Sequence, residues 1–309
     1  MKVVIAGGTG FIGQKLTTQL IAAGESVTLL TRGGQVPGAF KGKVVAQPWD
    51  GKSSGGWAPV LDGADVVINL CGEGIANKRW SAKQKALLRS SRLEPTQALM
   101  QAIRSAKIKP KVWINVSAVG FYGNVAENEV DEKYPQGKGF LAQLCADWEA
   151  SAREAEMLGV RLVFPRIGIV LGSGKGALQK MIPPFNMFLG GPLGSGQQWF
   201  PWIHVQDVVS LILFAIKNDQ VQGAFNACAP YPVRMNDFCT TLGHVLNRPS
   251  WLSVPAFALK LMLGEMAQML LGGQKAIPKK MLKMGFKFRY SFVESALISI
   301  VSAPTFLKR

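Results

Sequence analysis

One stretch constrains this chain more than any other: Gly7-Gly8-Thr9-Gly10-Phe11-Ile12-Gly13. Val3-Val4-Ile5-Ala6 precedes it, a short β-branched run that reads as a buried parallel strand. Leu16, Leu20 and Ile21 follow at helical spacing until Gly24 supplies a stop. A glycine turn between a strand and a helix lets the backbone approach a pyrophosphate, whose charge then rests on the helix N-terminus. Two spacings coexist. Gly8, Gly10 and Gly13 satisfy G-x-G-x-x-G, whereas Gly7, Gly10 and Gly13 give G-x-x-G-x-x-G. Either one predicts a dinucleotide site.

The end of the second strand selects the dinucleotide. Ser26-Val-Thr-Leu-Leu-Thr31 is that strand and Arg32 follows it directly. NAD-selective sites place a carboxylate here for the ribose 2′-hydroxyl. This chain has an arginine instead, which pairs with a 2′-phosphate through charge-assisted hydrogen bonds. NADP(H) is therefore expected over NAD(H).

A chain of 309 residues can bury a substantial core, and one large domain with a small lobe is expected. Cys71, Cys145, Cys228 and Cys239 lie far apart, suggesting neither a disulfide framework nor a zinc site. His204 and His244 are too few for a histidine-rich metal centre. The first strand starts at once, leaving no room for a signal peptide, so a cytoplasmic location is expected. Residues 254–271 are apolar but contain Lys260 and Glu265, which points to packed helix and no membrane span. From Arg248 onward there are ten Lys/Arg against two acids, half of the net charge of +16. Lys275, Lys279, Lys280, Lys283 and Lys287 alternate with Ile277, Met281, Leu282 and Phe286, as on the solvated face of a packed element. No nucleic-acid motif accompanies them, and no nucleic-acid partner is expected.

Further strands are expected near Val44-Val45, at residues 66–70, 112–117 and 160–165, and at 223–226, with helices at 83–106 and 140–158 between them. Five parallel strands with intervening helices indicate an α/β protein with a Rossmann-type doubly wound parallel sheet. The carboxyl ends of its strands line the ligand crevice, which places Leu70, Cys71 and Gly72 beside the cofactor. Helix Met235 to Leu246 closes this domain, residues 1–247. Residues 248–309 form a smaller, mostly helical, basic C-terminal lobe.

In order along the chain stand G-G-T-G-F-I-G (Gly7 to Gly13), T-R (Thr31-Arg32), I-N-L-C-G-E (Ile68 to Glu73) and S-R (Ser91-Arg92). They continue with S-A-V-G-F-Y-G (Ser117 to Gly123), D-W-E (Asp147 to Glu149), W-I-H-V-Q-D (Trp202 to Asp207) and G-F-K-F-R-Y (Gly285 to Tyr290). With these motifs the chain resembles the atypical and extended short-chain dehydrogenase/reductases of the nucleoside-diphosphate-sugar epimerase-like "epimerase family protein" group. Some of its members are associated with cell-division inhibition. The region after Arg248 resembles that group's C-terminal domain of unknown function. The resemblance implies NADP(H) contacts at Gly7, Thr9, Gly10, Phe11, Ile12, Gly13, Thr31, Arg32, Leu70, Cys71, Arg92 and Val170.

For catalysis the resemblance implies a Ser, a Tyr and a Lys, the last two as Y-x-x-x-K on one helix, where lysine and cofactor lower the tyrosine pKa. Ser117 stands where the serine belongs. The helix expected to carry the pair begins Phe140-Leu-Ala-Gln-Leu144, so Phe140 takes the tyrosine position and Leu144 the lysine position. Tyr134-Pro-Gln-Gly-Lys138 fits the motif literally, but Pro135 and Gly137 oppose a helix there. Tyr122 is the favoured substitute because it ends a strand loop expected to face the crevice. Asp147, Glu149 and His204 are lesser candidates. The expected function is an NADP(H)-dependent oxidoreductase or epimerase acting on a small molecule, with a nucleotide-linked sugar as one substrate class and a homodimer as a candidate assembly. The alternative is a cofactor-binding regulator without redox chemistry, linked to cell division.

Overall fold

The computed structural model describes residues 1–53 and 55–303. Seven parallel strands form the central sheet: β1 (Lys2–Ala6), β2 (Ser26–Thr31), β3 (Val45–Pro48), β4 (Val66–Asn69), β5 (Val112–Asn115), β6 (Arg161–Ile167) and β7 (Gly223–Ala227). Their spatial order is β7-β6-β5-β4-β1-β2-β3, with two residues, Ser117–Ala118, extending the sheet beside β6. β1 and β4 are buried from end to end apart from Lys2, as expected for strands covered on both faces. Val45–Pro48 and Gly223–Ala227, expected as short strands, pair in at the two edges and bring the five parallel strands of the expected sheet to seven.

Helices α1 (Phe11–Ala22) and Val205–Lys217 cover one face, where Leu16, Leu20, Val208 and Leu211 share a core with Ile5, Leu29 and Ile68. α2 (Ala82–Ser105) packs on the other face, where Leu99 and Ile103 meet Val4, Val67 and Trp113. α2 runs through Pro95 without a break, and Ser81 caps its start by accepting from the Gln84 amide at 3.2 Å. The helix expected over 140–158 divides into α3 (Phe140–Ala150) and a short turn, Glu154–Met157.

The C-terminal lobe contains helices Ala256–Leu263, Ala267–Leu271, Lys279–Lys283 and Val293–Val301. The first two divide what the sequence suggested as one apolar helix. Gly264, at φ +60, breaks it. Met281 and Phe286 enter the core of the main domain, and Val293–Val301 packs against Met235–Leu246. Lys275 pairs with Glu129 at 3.0 Å and Lys279 with Asp131 at 2.9 Å, while the backbone amide of Lys280 donates to Glu132. The basic stretch thus clamps an acidic loop of the main domain. Among the described residues no helix is long and apolar enough to cross a membrane.

Candidate functional site

The carboxyl ends of β1, β2 and β4 lie together, with Ala6 opposite both Leu30 and Asn69. Chain order reverses here, the place where open α/β sheets take ligands. Gly7 has φ +79, and a Cβ on it would stand 2.8 Å from the Leu70 carbonyl carbon. A Cβ on Gly13 would stand 2.4 Å from the Gly7 oxygen, and one on Gly8 would strike a Leu29 methyl at 2.5 Å. Gly10 is the N-cap of α1, and its amide closes the turn onto the Gly7 carbonyl at 3.0 Å. Both glycine spacings are therefore embodied in one turn. α1 has neither an acid in its first turn nor, among the described residues, a side-chain cap. Its leading amides and dipole favour an anion beside the exposed Thr9 and Gly10.

Phe11 and Ile12 begin the helix. The Phe11 ring fills the space over Gly172 and Gly176, where a Cβ would approach it to 2.6 and 3.1 Å. The Gly176 position also lies against the Val170 carbonyl, so the glycine turn, Phe11 and Val170 are brought together. Val170 belongs to the short strand Ile169–Leu171, which pairs with Trp202–His204.

Arg32 is exposed at the end of β2 and borders a cavity of about 730 Å³ with Pro48, Trp49, Asp50 and Trp57. Beside it the buried Thr31 hydroxyl has no hydrogen-bond partner among the described residues. Cys71 follows β4, its amide held by Asn69 Oδ1 at 3.1 Å. Burial pushes its thiol up to about 12 against the opposing influence of Arg32, which disfavours the thiolate. Arg92 packs over Gly72 and donates to the carbonyls of Glu73 and Leu88 at 3.0 and 2.9 Å. Burial holds its guanidinium below the usual pKa. A turn that only glycine can make, an open helix N-terminus, an orphaned Thr31 hydroxyl and an exposed arginine fit a 2′-phosphorylated dinucleotide. The glycine turn, Thr31, Arg32, Leu70, Cys71 and Gly72 would hold it.

Beyond this turn lies a buried polar chain. Ser117 donates to Glu149 Oε1 at 2.8 Å. Arg166 donates to both oxygens of Glu149, each at 2.8 Å, and from Nη1 to the Tyr122 oxygen at 3.0 Å. Its guanidinium also stacks 3.5 Å from the Phe121 ring centroid. Tyr122 donates to Asn226 Oδ1 at 2.7 Å, and Asn226 donates to the carbonyls of Val130 and Ile277. Tyr122 is 1% exposed and burial pushes its phenol up to about 12. It does not open onto the crevice, contrary to the expectation from its place in the loop. The reason is that its two partners draw the hydroxyl inward.

On α3 the side chains nearest the loop after Ser117 are not Phe140 and Leu144. Phe140 and Leu144 turn toward Trp80 and toward Met266 of the C-terminal lobe. Leu141 and Cys145, one residue later, face Gly120 in the loop after Ser117. With Glu149 they form an i, i+4, i+8 row, so the groups presented to the strand end are an alkyl and a thiol, the latter raised to about 12 by burial. Tyr134 and Lys138 lie in irregular chain and share no helix face. Asp147 is taken up by Arg89 and Gln143. His204 accepts from the Gln206 amide at 3.1 Å and lies against the Tyr290 ring, a buried structural histidine. Arg166, Asn226, Trp49 and Trp57 are not anticipated from the sequence. Arg166 and Asn226 end strands, a signal for crevice residues, whereas the two tryptophans had no pattern to mark them.

A sequence model of the NAD dependent epimerase/dehydratase family matches residues 3–228, and one for a domain of unknown function, DUF1731, matches residues 254–300. An Arabidopsis thaliana protein named "Epimerase family protein SDR39U1 homolog, chloroplastic" is 43% identical over 97% of this chain and 87% of its own length. The crystal structure of human epimerase family protein SDR39U1 (isoform2) with NADPH superimposes with a TM-score of 0.87 at 37% identity, covering 97% of this chain and 99% of that one. That of the nucleoside-diphosphate sugar epimerase from Corynebacterium glutamicum gives a TM-score of 0.76 at 30% identity, over 97% of this chain and 57% of that one.

Proposed function

From its membership of the NAD dependent epimerase/dehydratase family, to which this chain belongs, we propose that the protein is an NADP(H)-dependent oxidoreductase or epimerase of the short-chain type. Arg32, standing where an NAD-selective site carries a carboxylate, is the observation that carries the choice of cofactor. The NADPH-bound human relative supports it. When bound, the nicotinamide supplies or accepts a hydride. This chain's residues then orient a small polar substrate, a nucleotide-linked sugar being the class in best accord with the Corynebacterium relative. Ser117 is the hydroxyl assigned to the substrate oxygen; it is 3% exposed and donates to Glu149 Oε1, so meeting a substrate requires its O–H to turn away from that carboxylate. Tyr122 is a positioning residue, because a phenol near pKa 12 bonded to Asn226 and Arg166 is poorly matched to proton exchange at neutral pH.

The test is a pair of binding titrations. NADPH should bind about tenfold or more tightly than NADH, and Arg32→Ala should remove most of that gap. Equal affinities in the native protein overturn the cofactor choice. NADPH oxidation measured against a panel of carbonyl compounds and sugar nucleotides tests the chemistry, with Ser117→Ala expected to lower turnover about a hundredfold. A second reading, a cofactor-binding regulator, is favoured by one observation: Leu141 and Cys145, and no Tyr or Lys, are the α3 side chains against Gly120 in the loop after Ser117. It predicts tight NADPH binding without turnover on the whole panel, together with NADPH-dependent capture of a specific partner.

A further inference from the structure

The cofactor crevice runs along the carboxyl edge of the sheet and has a bank on each face. α1 and helix Val205–Lys217 cover one face, and α2 covers the other. Residues 72–80 leave β4 for α2 and form the bank on that side. Residues 172–180 lie against Phe11 of α1 and form the opposite bank. A dinucleotide laid along the strand ends, from Arg32 over the glycine turn toward Ser117, passes between them.

Each bank is fixed by its own contacts. On the α2 side the Glu73 amide donates to Ser91 Oγ at 3.0 Å, and the Trp80 indole donates to the Ile75 carbonyl at 2.9 Å. Asn77 folds back on the same turn, its amide on the Gly74 carbonyl and its side chain on Glu73 Oε1. The Ala76 carbonyl is thereby presented at a set place. On the α1 side, helix Ala177–Asn186 buries Leu178, Ile182 and Phe185 and leaves Lys180 in solvent. Lys180 Nζ reaches across and donates to the Ala76 carbonyl, 104 residues away in the chain. With the close approach of Gly7 to Leu70 and of Phe11 to Gly176, this bond closes a circuit of contacts that starts and ends at the first turn of α1. The bond itself is loosely committed. An ammonium has three donors, and one carbonyl uses one of them. Residues 172–186 contain Lys175 and Lys180 and no acid, so their own segment offers the ammonium no carboxylate. A pyrophosphate at the α1 N-terminus is a full anion, a stronger attraction for a lysine than a carbonyl dipole.

We propose that Lys180 is a clasp over the cofactor crevice, its ammonium spanning from helix Ala177–Asn186 to the Ala76 carbonyl and releasing it before a bound dinucleotide can leave. Opening asks only for rotation of one exposed side chain, so both banks keep their places. The inference rests on the NADP(H) reading given above and adds to it the residue that governs how long the cofactor stays.

The experiment follows NADPH fluorescence in stopped flow with the full chain, measuring association and release separately. Lys180→Met keeps the apolar stem and removes the ammonium. It should speed NADPH release about tenfold while changing association by no more than about twofold. Its melting temperature should match that of the native chain, because the side chain is exposed. Lys180→Arg still carries a charged donor at the end of a long stem, and should bring release back to within about threefold of the native rate. Native-like release from Lys180→Met overturns the clasp. So does a change confined to association that disappears at high salt, which would make Lys180 a steering charge and nothing more. Failure of the native chain to bind NADPH at all overturns the cofactor reading and the clasp with it, whereas native binding with unaltered release in the Met variant overturns the clasp alone.

Discussion

At the scale of single residues, His204 shows how burial converts a titratable group into a fixed structural part. Desolvation, helped by the charges of Arg289 and Lys15, holds its imidazole at a pKa of about 4, against 6.5 unperturbed. The folded ring stays neutral at pH values where the unfolded one takes a proton. Its contribution is therefore complete above pH 6.5 and is lost as the pH falls from 6.5 toward 4, by about 3 kcal/mol in all. His204→Asn keeps an N-cap acceptor for Gln206 and removes the titration. Urea midpoints at stepped pH should then show a visibly shallower loss for the variant over that window. Tyr122 and Arg166 belong to the same scale. The phenol and the guanidinium bond each other, and Asn226 and Glu149 take up their remaining capacity, which is why so polar a chain can stand inside the sheet.

At the scale of elements, Asp207 pins the C-terminal segment to the helix that begins beside it. Its carboxylate accepts from the Arg289 and Tyr290 amides, both at 2.9 Å. Asp207→Ala should cost about 2 kcal/mol in chemical denaturation and speed amide exchange over residues 285–290 first. Much of the element pattern was legible in the sequence. β2 and the helix Met235–Leu246 fall on their expected residues, because period and flanking glycine or proline mark them locally. α3 begins on its expected residue, ends at Ala150 short of the expected 158, and its inward face could not be read. Apolar residues at Phe140, Leu141 and Leu144 leave helical spacing ambiguous, and only distant partners, Met266 of the lobe on one side and Gly120 on the other, settle which face turns where. Tyr122 could not be read at all in this sense, since its partners lie 44 and 104 residues away. The glycine turn was legible because its whole geometry is local, with the Leu70 contact as its one distant check.

At the scale of the whole molecule, main domain and C-terminal lobe share their interior. Met266, Leu263 and Met269 complete the cluster around Trp80 and Leu144, while Met281 and Phe286 complete the large core. Residues 1–253 expressed alone should bind a hydrophobic dye strongly and aggregate, and the intact chain should melt in a single calorimetric transition. Two separate transitions would show the lobe to be an independent unit. The same arrangement gives a meaning to Phe11. Its ring, carried on the first turn of α1, lies against the loop 172–176, so a residue near the start of the chain ties the glycine turn to the segment after β6. Neither side can shift without dislodging the ring. A shift of the glycine turn must therefore be met by the loop 172–176 that the Phe11 ring lies against.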